Sequence, residues 1–287
     1  MKRIRVFYLI GITIMTLTVS CSGGTKKESA AKSSTENESL QTEGVKTLHL
    51  GNLQATWIQD NAGEHLMPAS LFAGADSLLP DSVLQKGIPS SMSTFLIKTG
   101  GITILFDTGL GGPTSRLIPS LASLGIAPSD IRYLYLTHLH NDHIGGMMQG
   151  DSIVFPNAEV YLSRIEHDAW LKMPADKNKK AVTTINAYKK QLHLFEFGDT
   201  LPGEVVAMEA IGHTPGHTAY QTGKLLIIGD LIHGAAVQLE HPEICATYDM
   251  DREQAIKTRK QFLQYAKENH LTIAGMHLPA PAFIEYP

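Results

Sequence analysis

The chain is poor in cysteine, with only Cys21 and Cys245 among 287 residues. Two thiols cannot build a disulfide framework or a cysteine-rich zinc site. It has no excess of positive charge either: 24 Lys and Arg stand against 28 Asp and Glu, a formal net charge of −4. That balance excludes a general nucleic-acid or anionic-membrane binder. No apolar run reaches the roughly 20 residues of a membrane-spanning helix. There is no internal repeat, and the Gly-x-Ser-x-Gly turn of a serine hydrolase is absent. With 43% apolar and 18% charged residues, the composition is that of a globular protein, neither disordered nor fibrous.

Histidine is what the chain has in quantity. Of its 13 histidines, His138, His140, His143, His213, His217, His233, His241 and His277 fall in or beside three short clusters. This points to metal chemistry or proton transfer.

The N-terminus reads as an address. Lys2, Arg3 and Arg5 precede an apolar run from Val6 to about Val19, which ends at Thr18-Val19-Ser20-Cys21. The run fits the hydrophobic region of a secretory signal. Small residues ending at a cysteine resemble a bacterial lipoprotein cleavage site, with Cys21 as the lipidated residue; the alternative is an ordinary signal with an incidental cysteine. Residues 1–20 are therefore expected to be a signal peptide and 21–44 a flexible tether, since Ser22 to Glu43 has almost no apolar residues to bury. The expected location is the bacterial cell envelope, periplasm or outer membrane, with the membrane touched only through a lipid anchor.

Residues 45–287 read as one domain. Strand patterns cover Thr47–Trp57, Ser93–Lys98, Ile102–Asp107, Ile131–Leu136, Glu159–Leu162, Val205–Ile211, Leu225–Ile228 and Leu271–Ala274. Helical patterns cover Arg164–Leu171, Lys179–Leu192 and Asp251–Asn269, the last capped by Asp251. Strands with interspersed helices predict an α/β sandwich. The segment Asp60–Ser91 has no clear period and reads as a lid or a packed loop, with Leu66, Met67 and Phe72 offering an apolar wall.

Thr137-His138-Leu139-His140-Asn141-Asp142-His143 follows directly on a strand. Residues two apart on an extended chain point the same way, so His138 and His140 can share an ion. If the chain then turns, Asp142 and His143 are directed elsewhere, and one short segment serves two cations about 3.5–4 Å apart. Nitrogen and carboxylate ligands without thiolate suit Zn²⁺ first, with Mn²⁺ and Fe²⁺ as alternatives. Further ligands are sought at other strand ends: Gly212-His213-Thr214-Pro215-Gly216-His217, Asp230 and His277.

His-x-His-x-Asp-His, Gly-His-Thr-Pro-Gly-His, Gly-Asp and a late His, in that order, resemble the metallo-β-lactamase-fold hydrolase superfamily. The segments Gly229-Asp230-Leu231-Ile232-His233, His241-Pro242-Glu243 and Gly275-Met276-His277-Leu278-Pro279 look most like its methyl parathion hydrolase-like branch, with secreted acyl-homoserine lactonases as neighbours. The resemblance implies an αββα sandwich with the metals at one edge. It implies that His138, His140 and His213 hold the first metal, that Asp142, His143 and His277 hold the second, and that Asp230 bridges them. Asp142 is also the candidate to orient the water or shuttle its proton. The true zinc β-lactamases lack an aspartate at the place of Asp230, which counts against antibiotic hydrolysis.

Asp107 is expected to accept a hydrogen bond from a ligand histidine or to cap a turn. His217 is expected to hold its turn or support a ligand, and His233 to line the pocket or sit on the surface. Nothing is claimed for His49, His65, His167, His193 and His270. The expected protein is an exported two-metal hydrolase of small molecules that uses a metal-bridging hydroxide to cleave a lactone, carboxylic ester or phosphotriester, without nucleic-acid partners. The alternatives are a non-catalytic metal-binding or ligand-sensing lipoprotein of the same fold and a β-lactamase-like amide hydrolase. No basic cluster lies near the motifs in sequence, so a neutral, apolar substrate is favoured.

Overall fold

Several strands read as unbroken apolar runs because both of their faces are covered. In the strands Ser93–Thr99 and Ile102–Phe106, Phe95, Ile97, Ile104 and Phe106 enter one core while Leu96 and Leu105 enter another. Tyr135 and Leu134 divide in the same way. Alternate side chains leave opposite faces of a strand, so a strand between two layers must be apolar throughout.

The computed structural model describes residues 43–286. The expected signal peptide, Cys21 and the tether up to residue 42 lie outside them. One sheet has seven strands in the order Val45–Leu50, Leu53–Gln59, Ser93–Thr99, Ile102–Phe106, Tyr133–Tyr135, Glu159–Ser163 and Leu192–Phe195. The first four form an antiparallel meander, and the last three add in parallel. A second sheet runs Thr200–Leu201, Val205–Glu209, Thr218–Thr222, Leu225–Ile227, Thr272–Ala274 and Phe283–Glu285.

The sheets pack face to face over Trp57, Phe95, Phe106, Tyr135 and Tyr220. Phe106 meets Tyr135 and Tyr220 edge-on, at centroid separations of 5.4 and 5.3 Å. The helices Leu117–Ser123, Arg164–Lys172 and Ala175–Ala187 cover the outside of the first sheet through Leu117, Leu121, Trp170 and Ile185. The helix Arg252–Glu268 covers the second through Phe262 and Ala266. This is the expected αββα sandwich.

Three local expectations need correction. Thr47–Trp57 is two strands folded into a hairpin at Gly51, whose φ of 62° permits the turn. The helix expected over Lys179–Leu192 runs Ala175–Ala187 instead. Leu192 begins an edge strand paired in parallel with Val160, because sheet pairing overrides a local apolar spacing that fits a helix. The Asp60–Ser91 segment is not structureless. His65–Met67 pairs antiparallel with Ile88–Ser90, and the helix Asp81–Lys86 lies between them. Phe72 faces away from the expected wall, buried with Met67, Ala75, Ile88, Val237 and Ala246.

Candidate metal centre

Five strands end at one edge and release the candidate residues there. Asp107 follows Ile102–Phe106, His138 follows Tyr133–Tyr135, and His213 follows Val205–Glu209. Asp230 follows Leu225–Ile227, and His277 follows Thr272–Ala274. The carboxyl ends of strands are where open α/β sheets place their ligands. Asn141–Ile144 turns as a short helix, which separates Asp142 and His143 from His138 and His140.

Two groups of donor atoms converge. His138, His140, His213 and Asp230 offer atoms within 4.8 Å of one another, as do Asp142, His143 and His277. His140 Nδ1 lies 2.9 Å from both His138 Nε2 and His213 Nε2. Asp230 stands between the groups. Its Oδ1 is 3.1 Å from His143 Nε2, and its Oδ2 is 3.3 Å from His213 Nε2 and 3.2 Å from His277 Nε2.

The outer partners fix which nitrogen of each ring carries the proton. His143 Nδ1 donates to Asp107 Oδ2 at 2.7 Å, His213 Nδ1 to Asp249 Oδ1 at 3.0 Å, and His277 Nδ1 to the Ser91 carbonyl at 2.9 Å. Each of these partners can only accept. Thr137 Oγ1 donates to Asp107 Oδ2, which leaves it to accept from His138 Nδ1 at 3.0 Å. In the neutral rings, all four Nε2 atoms therefore turn bare lone pairs toward two carboxylates. Buried His143 Nε2 and Asp230 Oδ1 find no hydrogen bond, although they face each other. Lone pairs converging on carboxylates are what divalent cations satisfy, so the residues fit a metal centre.

Charge follows the same logic. Burial pulls the His140 imidazole down to about 3, with His213 adding to the effect. At His277 burial opposes protonation, but the Asp230 and Asp142 carboxylates raise it to about 10. Burial also opposes ionisation of Asp230, yet His143, His277 and His138 hold it well below the usual carboxylate range. The carboxylates thus favour a positive charge beside them at His277, while burial keeps His140 neutral.

His217 donates from Nδ1 to the Ala210 carbonyl and accepts the Asp230 amide at Nε2, both at 3.0 Å. Both its nitrogens are spent on the backbone, and it fixes the turn that presents Asp230. Gly229 precedes Asp230 because a Cβ there would lie 2.4 Å from His217 Nε2. Asp107, fully buried at φ 57°, also holds the Thr137 amide at 2.8 Å. His233 is buried beside the centre, its ring 5.2 Å from that of His277 and inclined by 17°.

Several participants were not evident in the sequence. Asp249 orients His213 and is itself held by buried Arg259 at 3.0 Å. Arg259 occupies the apolar stripe of its helix, between Ala255 and Phe262, and a cation at that spacing demands a buried carboxylate. Glu166 joins the two histidine loops: its carboxylate accepts from Leu139 N, Trp170 Nε1, Thr214 Oγ1 and Gly216 N. The Trp170 ring stands edge-on to His140 at 5.6 Å. Asp60 accepts from the Leu110 and Leu117 amides at 3.0 and 3.1 Å, pinning the loop beyond Asp107.

A cavity of about 480 Å³ opens over the centre. Its apolar wall comes from Leu66, Met67, Leu71, Met92 and Leu110, and His65 and Tyr248 add polar edges. Among the described residues, none of its lining side chains is Lys or Arg. The absence of a basic cluster in sequence needs correction nearby, however. Lys177, Lys179 and Lys180 line an adjoining groove, brought there by the fold from a distant helix.

The family model described as Metallo-beta-lactamase superfamily matches residues 88–277. The solved structure of hydrolase AbOPH, of the beta lactamase superfamily, is 30% identical with a TM-score of 0.74, covering 85% of this chain and 94% of that one. The structure of AidC, a dizinc quorum-quenching lactonase in complex with the product N-hexnoyl-L-homoserine, is 28% identical with a TM-score of 0.75, covering 84% and 92%. Metallo-beta-lactamase domain-containing protein 1 of Xenopus laevis is 33% identical over 149 residues, 46% of this chain and 51% of that protein. The chain spans about half the length of the curated relatives it matches.

Proposed function

The chain belongs to the metallo-β-lactamase superfamily of hydrolases, and we propose that it cleaves a lactone, a carboxylic ester or, less readily, a phosphotriester, with two divalent cations, Zn²⁺ first. His138, His140 and His213 would hold one cation, Asp142, His143 and His277 the other, and Asp230 both. The observation that carries this reading is the set of lone pairs aimed by acceptor-only partners at the Asp230 carboxylate. Such cations, when bound, supply Lewis acidity and bring the pKa of water close to neutrality.

The chain's own residues supply the rest. Asp142 is partly exposed at the cavity, and burial opposes its charge, but His143 and His277 hold it well below the usual carboxylate range. An ionised carboxylate in that place can orient a water by accepting a hydrogen bond from it. Leu66, Met67 and Leu71 supply the apolar wall that small-molecule pockets usually have. Among the described residues, no guanidinium or ammonium lines the cavity to clamp a phosphate monoester or a nucleic-acid backbone. The similarity to AidC, a lactonase, supports ester-type substrates over β-lactams.

Incubation of the metal-loaded protein with lactones, aryl esters, phosphotriesters and β-lactams tests the reading. Turnover of lactones and aryl esters ahead of phosphotriesters is expected; good turnover of β-lactams alone would overturn it. The basic start, apolar run and Cys21 support lipid anchoring in the bacterial envelope. Cys21→Ser should then yield unprocessed or soluble protein, whereas a mature wild-type N-terminus elsewhere would replace anchoring by plain secretion.

A further inference from the structure

The groove beside the cavity has an uneven chemistry. One wall is the helix Ala175–Ala187, which presents Lys177, Lys179 and Lys180. The rest of the lining includes the small residues Gly111, Gly112 and Gly145. The groove encloses about 600 Å³ and shares Leu110 and Asn141 with the cavity over the centre, so the two spaces adjoin. Among the described residues, Asp176 is the only carboxylate on its walls, which leaves three ammonium groups against one negative charge.

The three lysines have no strong competing partners. Among the described residues, ion pairs of Lys and Arg join only Arg164 to Glu196 and Arg259 to Asp249. Lys180 lies within electrostatic reach of Asp142. Burial pulls its ammonium below the ordinary lysine value, and the Asp142 carboxylate acts in the opposite sense. A cationic groove on a chain of net charge −4 is a local exception to the molecule's charge.

We propose that this groove is a subsite for an anionic group, a carboxylate or phosphate, carried at the far end of the ester substrate. The inference rests on the hydrolase reading and narrows its substrate class. The scissile bond lies over the centre, the apolar middle of the molecule lies against Leu110, and the anionic end reaches the lysines past Asn141. The cavity wall selects apolar length, and the groove selects terminal charge. Exposed ammonium groups contribute modestly one at a time, so three together should favour an anionic end by about tenfold at low salt. The preference should shrink as salt shortens the Debye length from about 10 Å at 0.1 M to about 3 Å at 1 M.

The zinc-loaded full chain is tested with two ligands of equal length by calorimetry. Octanoate carries one carboxylate for the centre, and suberate carries a second at the far end. Suberate should bind about tenfold more tightly at low salt, and the ratio should fall towards one at 1 M salt and in the Lys177→Ala/Lys179→Ala/Lys180→Ala variant. A phosphonate-ended octanoate distinguishes the sources: tighter binding than suberate indicates a phosphate end, weaker binding a carboxylate end. In parallel, nitrophenyl octanoate and the nitrophenyl monoester of suberic acid are compared as substrates, with a lower KM expected for the second.

A suberate-to-octanoate ratio of one, or a ratio that the lysine variant leaves unchanged, would overturn the subsite. If the neutral ester is hydrolysed while suberate has no advantage, this inference alone fails. If neither ester is hydrolysed while suberate keeps its lysine-dependent advantage, the subsite stands and the hydrolase reading fails.

Discussion

Asp230 meets His143 through one oxygen and His213, His277 and His138 through the other, at 3.1, 3.3, 3.2 and 3.7 Å. Removing it takes away the carboxylate shared by both donor groups and leaves two cations close together with less compensating charge. Asp230→Ala should lose one metal and more than about a hundredfold in rate, beyond the 10–100-fold typical of outer partners. Two tightly held metals in that variant would refute its shared role. Asp249 gives a complementary test in acid. Burial opposes its ionisation, but the hydrogen bond to His213 and the charge of Arg259 lower it from 3.8 to about 2. A carboxylate lowered in the folded state stabilises fully above its unfolded value and loses that contribution as pH falls through the folded one. In denaturant titrations of the metal-free proteins, wild type should therefore lose about 2 kcal/mol more between pH 4 and pH 2 than Asp249→Asn does.

At the scale of elements, the residues later gathered in the centre were legible because they follow strand ends, in short motifs rich in histidine and glycine. His138, His140, Asp142 and His143 lie within six residues, and an extended stretch followed by one turn distributes them between the two groups. Their supports were not legible. Glu166 reaches Leu139 and Gly216, and Asp249 reaches His213 and Arg259, contacts that depend on how loops distant in sequence close. The approach of Lys177, Lys179 and Lys180 to the loop at Leu110–Gly112 depends on the same kind of closure. Asp60–Ser91 lacked a period because its strands are three residues long and paired across the intervening helix. That segment places Leu66 and Met67 in the cavity wall and ties Ser90 and Ser91 to the carbonyls of His277 and Leu278. Excising its outer part, Ala75–Lys86, should change selectivity among acyl chain lengths several-fold and leave metal content intact. Elemental analysis with a series of aryl esters checks this; equal selectivity would place the determinant elsewhere.

At the scale of the whole molecule, the αββα sandwich holds a dense array of charged and hydrogen-bonding groups at one edge, while the two cores behind it are aromatic and aliphatic. At that edge, buried His143 Nε2, Asp230 Oδ1 and both ring nitrogens of His233 have no hydrogen-bond partner among the described residues, and the donor atoms converge in two groups, which is the physical ground for the metal-dependent reading. The most direct test is elemental analysis of the purified protein joined to ester hydrolysis before chelation, after chelation and after zinc is restored. The account predicts about two divalent ions per chain, activity lost with them and regained on reconstitution. Trace metal after reconstitution, or undiminished hydrolysis by the metal-free protein, would contradict it.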